Sequence, residues 1–226
     1  MHTTTHIMLA LVGALGLSGL ATALTPTTAD ARPIHVFADA RPVHVAANTC
    51  DVHRGDLTID SRTRLRSGSC LVVEGDLKLR GDVSLRVTIT EVTGSVEIEG
   101  FNGRDLRVLE GLTRIGGDLE IEDNRSLRNL RGLESLRAVD GDVSIDDNRN
   151  LQNLDGLRGL ESIRGDLDIT DNRNLSSVQG LRNLKRLGDE IEIKDNRSLC
   201  QRDAAALARQ LNARNGDIAG NRGTCR

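Results

Sequence analysis

Apolar residues along this chain follow two rhythms that alternate. In the first, every second residue is apolar: Leu119/Ile121, Val143/Ile145, Leu167/Ile169 and Ile191/Ile193. That period predicts short strands with one face buried. In the second, every third residue is apolar: Leu106, Leu109, Leu112, Ile115, then Leu130, Leu133, Leu136, Val139, then Leu154, Leu157, Leu160, Ile163, then Val178, Leu181, Leu184, Leu187. A step of three fits neither an α-helix nor a flat strand. It predicts a coil whose sides each send one residue inward, or short 3₁₀ turns.

Between the two rhythms stands Asp-Asn-Arg-x-Leu, at 123–127, 147–151, 171–175 and 195–199, each copy 24 residues after the last. A fixed period of this size marks a stacked solenoid, because one unit cannot close its own core. A glycine opens each strand, at Gly55, Gly75, Gly94, Gly117, Gly141, Gly165 and Gly188; the last carries one extra residue before its strand. These glycines read as turns needing unusual backbone angles. The expected fold is all-β, a parallel β-solenoid of about 24-residue coils, leucine-rich-repeat-like, over 50–226. The steps 55 to 75 and 75 to 94 are shorter, as terminal units often are. Residues 203–211 predict a helix capped by Asp203, its stripe of Ala204, Leu207, Ala208 and Leu211 covering the open end as part of a cap over 200–226.

The register also pairs the cysteines. Cys50 and Cys70 each lie five residues before a strand-opening glycine; Cys200 and Cys225 each lie four after an asparagine, Asn196 and Asn221. Equivalent positions on adjacent coils stack about 5 Å apart, within disulfide reach. The expected bonds are Cys50–Cys70 and Cys200–Cys225, one staple at each end.

Composition narrows the function. The only aromatic residues are Phe37 and Phe101, so the chain offers no stacking platform for bases or sugars. Formal charge is −3, which excludes a global basic footprint for nucleic acid. Ile7 to Leu24 is a nearly uncharged apolar run followed by Ala21-Thr22-Ala23 and Ala29-Asp30-Ala31, so 1–31 reads as a signal peptide, with His2 and His6 in place of the usual basic residues. A retained anchor is the competing reading; after cleavage no stable membrane insertion is expected. Residues 29–46 hold a tandem duplication rich in Pro and Ala, 32–49 read as a linker, and His35 and His44 alone make a poor metal site. Four cysteines fit an exported chain, placing the protein outside the cell or in the envelope, the bacterial periplasm or surface included.

The order Gly-Asp-Leu-x-Ile-x-Asp-Asn-x-x-Leu-x-x-Leu-x-Gly-Leu-x-x-Leu-x-x-Ile, as in 141–163 and 165–187, resembles the receptor L domain of insulin-receptor and EGF-receptor type ectodomains. The resemblance spans about 50–226 and is strongest over 94–200. It implies a right-handed solenoid closed by a helix and disulfides. The chain departs from those receptors in having one such domain and neither Cys-rich module nor kinase, so receptor ligand contacts do not transfer residue by residue.

Two sets of residues remain. Asn124, Asn148, Asn172 and Asn196 are expected to stack as a structural ladder. The charges of Asp123, Asp147, Asp171 and Asp195 are expected to be offset by Arg125, Arg149, Arg173 and Arg197. On the outer strand face, Asp118, Glu120, Glu122, Asp142, Asp146, Asp166, Asp168, Glu190 and Glu192 face solvent with Ser144, Thr170 and a single Lys194, while the Leu-spaced sides carry Arg128, Arg131, Arg137, Arg158, Arg164, Arg182, Lys185 and Arg186. An acidic face suits an extracellular protein or cell-surface ligand of cationic character. The expected function is a non-catalytic binding module acting through the strand face. A structural envelope or matrix spacer is the alternative, and a polysaccharide-active β-helix enzyme a distant one. Nothing calls for a cofactor or metal. The histidines left after cleavage are His35, His44 and His53, and no nucleophile–base pair is visible.

Overall fold

A computed structural model describes residues 50–225, apart from 66, 67, 69 and 214. The expected signal peptide and linker lie outside the described residues. The fold is mostly β with one short helix, and its strands form two parallel sheets. The longer sheet runs Leu57–Ile59, Leu77–Gly81, Val96–Phe101, Leu119–Glu122, Val143–Asp146, Leu167–Thr170, Glu190–Lys194, Asn215–Ala219, each paired with the next. The shorter sheet runs Asp51–Arg54, Leu71–Glu74, Ile89–Val92, Arg114–Ile115, Ala138–Val139, Ser162–Ile163. Sequence order equals spatial order within each sheet, the topology of a solenoid. Val143 pairs with Leu119 on one side and Leu167 on the other.

The period-two residues bury as expected, Leu119, Ile121, Val143, Ile145, Leu167, Ile169, Ile191 and Ile193 all lying in one core. The period-three residues join them, with 3₁₀ turns at Arg107–Leu109, Asp155–Leu157 and Gln179–Leu181. Both cysteine pairs are bonded, with Cα–Cα distances of 4.7 Å for Cys50–Cys70 and 4.9 Å for Cys200–Cys225.

Two local expectations need correction. Among the strand-opening glycines Gly55 is left-handed (φ +93°), but from Gly94 onward φ is not positive. The later glycines are needed for closeness instead: a Cβ on Gly141 would lie 2.9 Å from the carbonyl carbon of Gly117 in the coil before. The helix spans Gln201–Gln210, so Asp203 is inside its first turn and Cys200 is the capping residue, without a side-chain cap. The Cys200 carbonyl accepts the Asp203 and Ala204 N–H groups, and the disulfide holds it there. Asp203 still sits where the helix dipole favours an anion.

The asparagines form a continuous hydrogen-bonded column. Asn148 Oδ1 accepts the backbone N–H of Asn124 (3.2 Å) and its amide Nδ2 (3.0 Å). Asn148 Nδ2 donates to the carbonyls of Ile121 (2.6 Å) and Asp146 (2.9 Å). Asn172, Asn196 and a fifth rung, Asn221, repeat the pattern. All of the first four are fully buried, so each amide must find partners inside. At the start Phe101 replaces asparagine and gives its N–H to Asn124 Oδ1 (2.8 Å). At the end Gln201 imitates a sixth rung. Its Oε1 accepts the Asn221 N–H (3.3 Å) and its Nε2 donates to Ile218, the residue equivalent to Ile121.

The residue before each rung is left-handed: Asp123 (φ 54°), Asp147 (50°), Asp171 (51°) and Asp195 (54°), with Gly100 (60°) and Gly220 (70°) at the terminal copies. Asp tolerates this region better than other side chains, and Gly best. Asp147→Gly is therefore expected to hold or raise the melting temperature, and Asp147→Val to cost about 1–2 kcal/mol, read by denaturant unfolding. Gln201→Ala is expected to cost about 1 kcal/mol and to speed hydrogen exchange at the Asn221 amide, whereas Arg202→Ala changes neither.

Candidate functional site: the exposed strand face

Parallel in-register pairing turns the outward residues of each strand into rows across the longer sheet. The row nearest the strand entry is Asp56, Asp76, Ser95, Asp118, Asp142, Asp166, Glu190. Each member from Asp56 to Asp166 accepts the backbone N–H of its successor, at 2.8–3.0 Å. Asp118, Asp142 and Asp166 thus spend one carboxylate oxygen stitching coil to coil. A carboxylate that receives an N–H tolerates like neighbours better than a bare one. The Gly-Asp entry is a second ladder, running beside the asparagines.

The middle row reads Lys78, Glu97, Glu120, Ser144, Asp168, Glu192, Asp217 by strand pairing. The third reads Glu99, Glu122, Asp146, Thr170, Lys194. Both ends are neutralised. Glu97 binds Lys78 and Arg80 (2.6 Å), and Arg80 also reaches Glu99 (2.8 Å). Lys194 binds Glu192 (3.0 Å) and Asp217 (2.6 Å). Between them, among the described residues, Glu120, Glu122, Asp146 and Asp168 have no Lys or Arg within 4.0 Å. Glu122 accepts the Ser144 hydroxyl (3.1 Å), and Asp146 accepts the Thr170 hydroxyl (2.6 Å). The carboxyl of Glu120 is pushed up, first by burial and then by Glu122, Glu97 and Asp118. Asp168 is pushed up by burial and then by Glu192, Asp166, Asp142 and Glu190. The cations Lys78 and Arg80 hold Glu97 below its usual range.

Glu97, Glu99 and Asp217 extend the face beyond the nine carboxylates expected from sequence. The signal for the first two was present in Gly94-Ser95-Val96-Glu97-Ile98-Glu99, whose alternation matches the later strands.

The Arg column offsets the turn Asp column less than expected. Arg149 lies 3.9 Å from Asp147, and no other Asp–Arg pair of these two columns comes within 4.0 Å among the described residues. Asp171 is instead pushed up, by burial and by Asp146, Asp147 and Asp195. The flanks are also less purely basic than the Arg residues alone suggest. Asp140 takes both Arg114 and Arg164 (3.2 Å), and Glu161 takes Lys185 (3.0 Å). His53 is buried beside Asp51 in the first strand, with Nε2 3.2 Å from the Asp56 carbonyl; Asp51 Oδ1 and His53 Nδ1 have no partner. No group of three or more His, Cys, Asp or Glu able to hold a metal exists among the described residues.

Compared with known proteins, residues 113–212 match the family model described as Receptor L domain. No curated protein and no solved structure matches the chain. The matched stretch covers the four Asp-Asn-Arg turns, the strands from Leu119 to Lys194 and the helix.

Raised carboxyl pKa values have a definite consequence for stability. Folded Glu120 and Asp168 hold protons to higher pH than they do in the unfolded chain. Their ionisation therefore opposes folding, and that penalty grows as pH rises through the ordinary carboxylate range. Glu120→Gln with Asp168→Asn should raise the melting temperature at pH 7. The gain should vanish near pH 3, where the parent carboxyls are protonated in both states (about 4 when unfolded). Equal gains at both pH values would show that the effect is not electrostatic.

Proposed function

We propose that the protein is an extracellular, non-catalytic recognition module whose longer-sheet face binds a cationic protein or cell-surface ligand. Receptor L domains are ligand-binding, non-enzymatic modules of receptors, which supports this class for the matched stretch. Two disulfides favour an oxidising compartment. Among the described residues no helix is long and apolar enough to cross a membrane. In this reading 1–31 directs export, 32–49 links, the solenoid is right-handed, and 200–226 caps it.

One observation carries the choice of face. The protein supplies its own cations at both ends of the sheet, but at the centre Glu120, Glu122, Asp146 and Asp168 have none within 4.0 Å among the described residues, and burial raises Glu120 and Asp168. A partner's Lys or Arg docking there relieves the repulsion that, after burial, raises the carboxyls of Glu120 and Asp168, so association and charge relief coincide. The in-register strands supply a regular platform of outward side chains.

The test is capture from the envelope or surroundings of the source cell by the purified protein. Glu120→Lys, Asp168→Lys and Glu192→Lys together should abolish capture, and raising ionic strength well above 0.15 M, where charges are screened beyond about 8 Å, should weaken it. A spacer without a ligand would capture nothing reproducibly. A partner that survives the triple reversal unchanged would overturn the acidic-face assignment.

A further inference from the structure

The repeat breaks at one place on the edge of this face. In four successive coils the left-handed residue after the strand is Asp, but the two coils before them carry glycines, Gly81 (φ 66°) and Gly100 (φ 60°). A Cβ built on either would meet nothing within 4 Å. Beside Gly100 lies a hollow of about 530 Å³, bounded by Arg80, Glu99, Phe101, Asn102, Asp123 and Arg125.

The charges around the hollow are unequal in their commitments. Arg80 is held by Glu97 (2.6 Å) and Glu99 (2.8 Å), so its charge is met within the protein. Arg125 and Asp123 have no ion-pair partner within 4.0 Å among the described residues. The equivalent pair one coil later, Arg149 and Asp147, approaches to 3.9 Å, while the pairs of the two coils after that stay apart; what sets Arg125 and Asp123 off is the hollow beside them. Phe101, the sole aromatic residue of the solenoid, forms part of the wall, its backbone N–H fixed by Asn124. The hollow is therefore lined by one guanidinium and one carboxylate without an ion-pair partner, next to Gly100, where no side chain projects.

We propose that this hollow is a binding subsite for a polypeptide segment carrying a carboxylate next to a basic side chain. The guanidinium of Arg125 takes the carboxylate through two parallel N–H···O bonds, the geometry that fork favours. Asp123 takes the neighbouring cation, and Gly100 leaves room for the segment's backbone. The inference rests on the reading that the module binds polypeptides. It supplies the register such a ligand needs, since the acidic face alone attracts any cation.

The experiment is an NMR titration of the ¹⁵N-labelled full chain with acetyl-Ala-Lys-Asp-Ala-amide. Saturable shifts are expected at the amides of Gly100, Phe101, Asn102 and Arg125. Replacing the peptide's Asp by Asn, or its Lys by Leu, should weaken binding about tenfold, equivalent to about 1.4 kcal/mol. Gly100→Asp introduces the residue that four other coils hold in the same backbone conformation, so it should fold and yet fill the notch. Both it and Arg125→Gln should remove the shifts, while Arg173→Gln, in a regular coil, should leave them intact. Shifts spread over the whole strand face, equal losses in Arg125→Gln and Arg173→Gln, or no saturation would overturn the subsite. The two proposals fail separately: a captured partner that is lost on reversing Glu120, Asp168 and Glu192 but binds Gly100→Asp at parental affinity removes the hollow and keeps the face.

Discussion

The structure depends on buried asparagine amides that each bind the coil before them. A solenoid coil has no internal hydrogen-bonded ladder of its own, so its backbone groups must be met by neighbours or by inward side chains. Asparagine suits the turn because its short side chain carries both a donor and an acceptor. In every rung the oxygen serves a backbone N–H of the previous coil, and in Asn148, Asn172 and Asn196 the nitrogen serves carbonyls on both coils. An apolar residue at 148 would orphan the Asn124 N–H and the carbonyls of Ile121 and Asp146 in a region that water does not reach. An aspartate would bury a charge and lose both donations. With the rungs in place, every strand is fixed in register, and the outward residues necessarily fall into rows.

Those rows explain how the protein carries an acidic surface. Parallel stacking sets like residues about 4.8 Å apart, which would make a column of carboxylates unfavourable if each stood alone. The entry column resolves this by using Asp118, Asp142 and Asp166 as acceptors for Asp142, Asp166 and Glu190 N–H groups. The end strands resolve it with Lys78, Arg80 and Lys194. The centre does neither, and Glu120 and Asp168 are pushed up, first by burial and then by their like-charged neighbours. The same surface that discourages edge-to-edge or face-to-face self-association stores repulsion that a cationic partner can relieve.

Much of this was legible in the sequence because the solenoid is locally coded. The spacing of Asn124, Asn148, Asn172 and Asn196 set the register, and the register alone paired Cys50 with Cys70 and Cys200 with Cys225. The alternation in 119–122 and its copies gave the buried and exposed faces. What could not be read were properties of side-chain reach. That Asp118 turns back to an N–H, that Arg80 rather than a turn arginine neutralises the face, and that Gln201 completes the asparagine column all depend on where flexible chains end. The glycines misled for a related reason. Their identity was visible, but whether it served backbone angle, as at Gly55, or close packing against the preceding coil, as at Gly141, required the stacked coordinates.

The two irregular ends of the asparagine column differ in kind, and the difference bears on function. At the C-terminal end the interruption is compensated: Gln201 restores the oxygen and nitrogen of a missing rung, and the disulfide to Cys225 holds its helix in place. At the N-terminal end it is not. Phe101 accepts nothing in place of an amide, and Gly100 lines a hollow where a carboxylate would otherwise project. A purely structural transition from short coils to full ones could have kept Asp at position 100, since that backbone conformation accepts it four times further along. The notch adjoins Arg125 and Asp123, which, like Arg173 with Asp171 and Arg197 with Asp195, have no ion-pair partner within 4.0 Å among the described residues. Local departures from a self-consistent repeat concentrate where function competes with stability, and this departure adjoins the acidic rows.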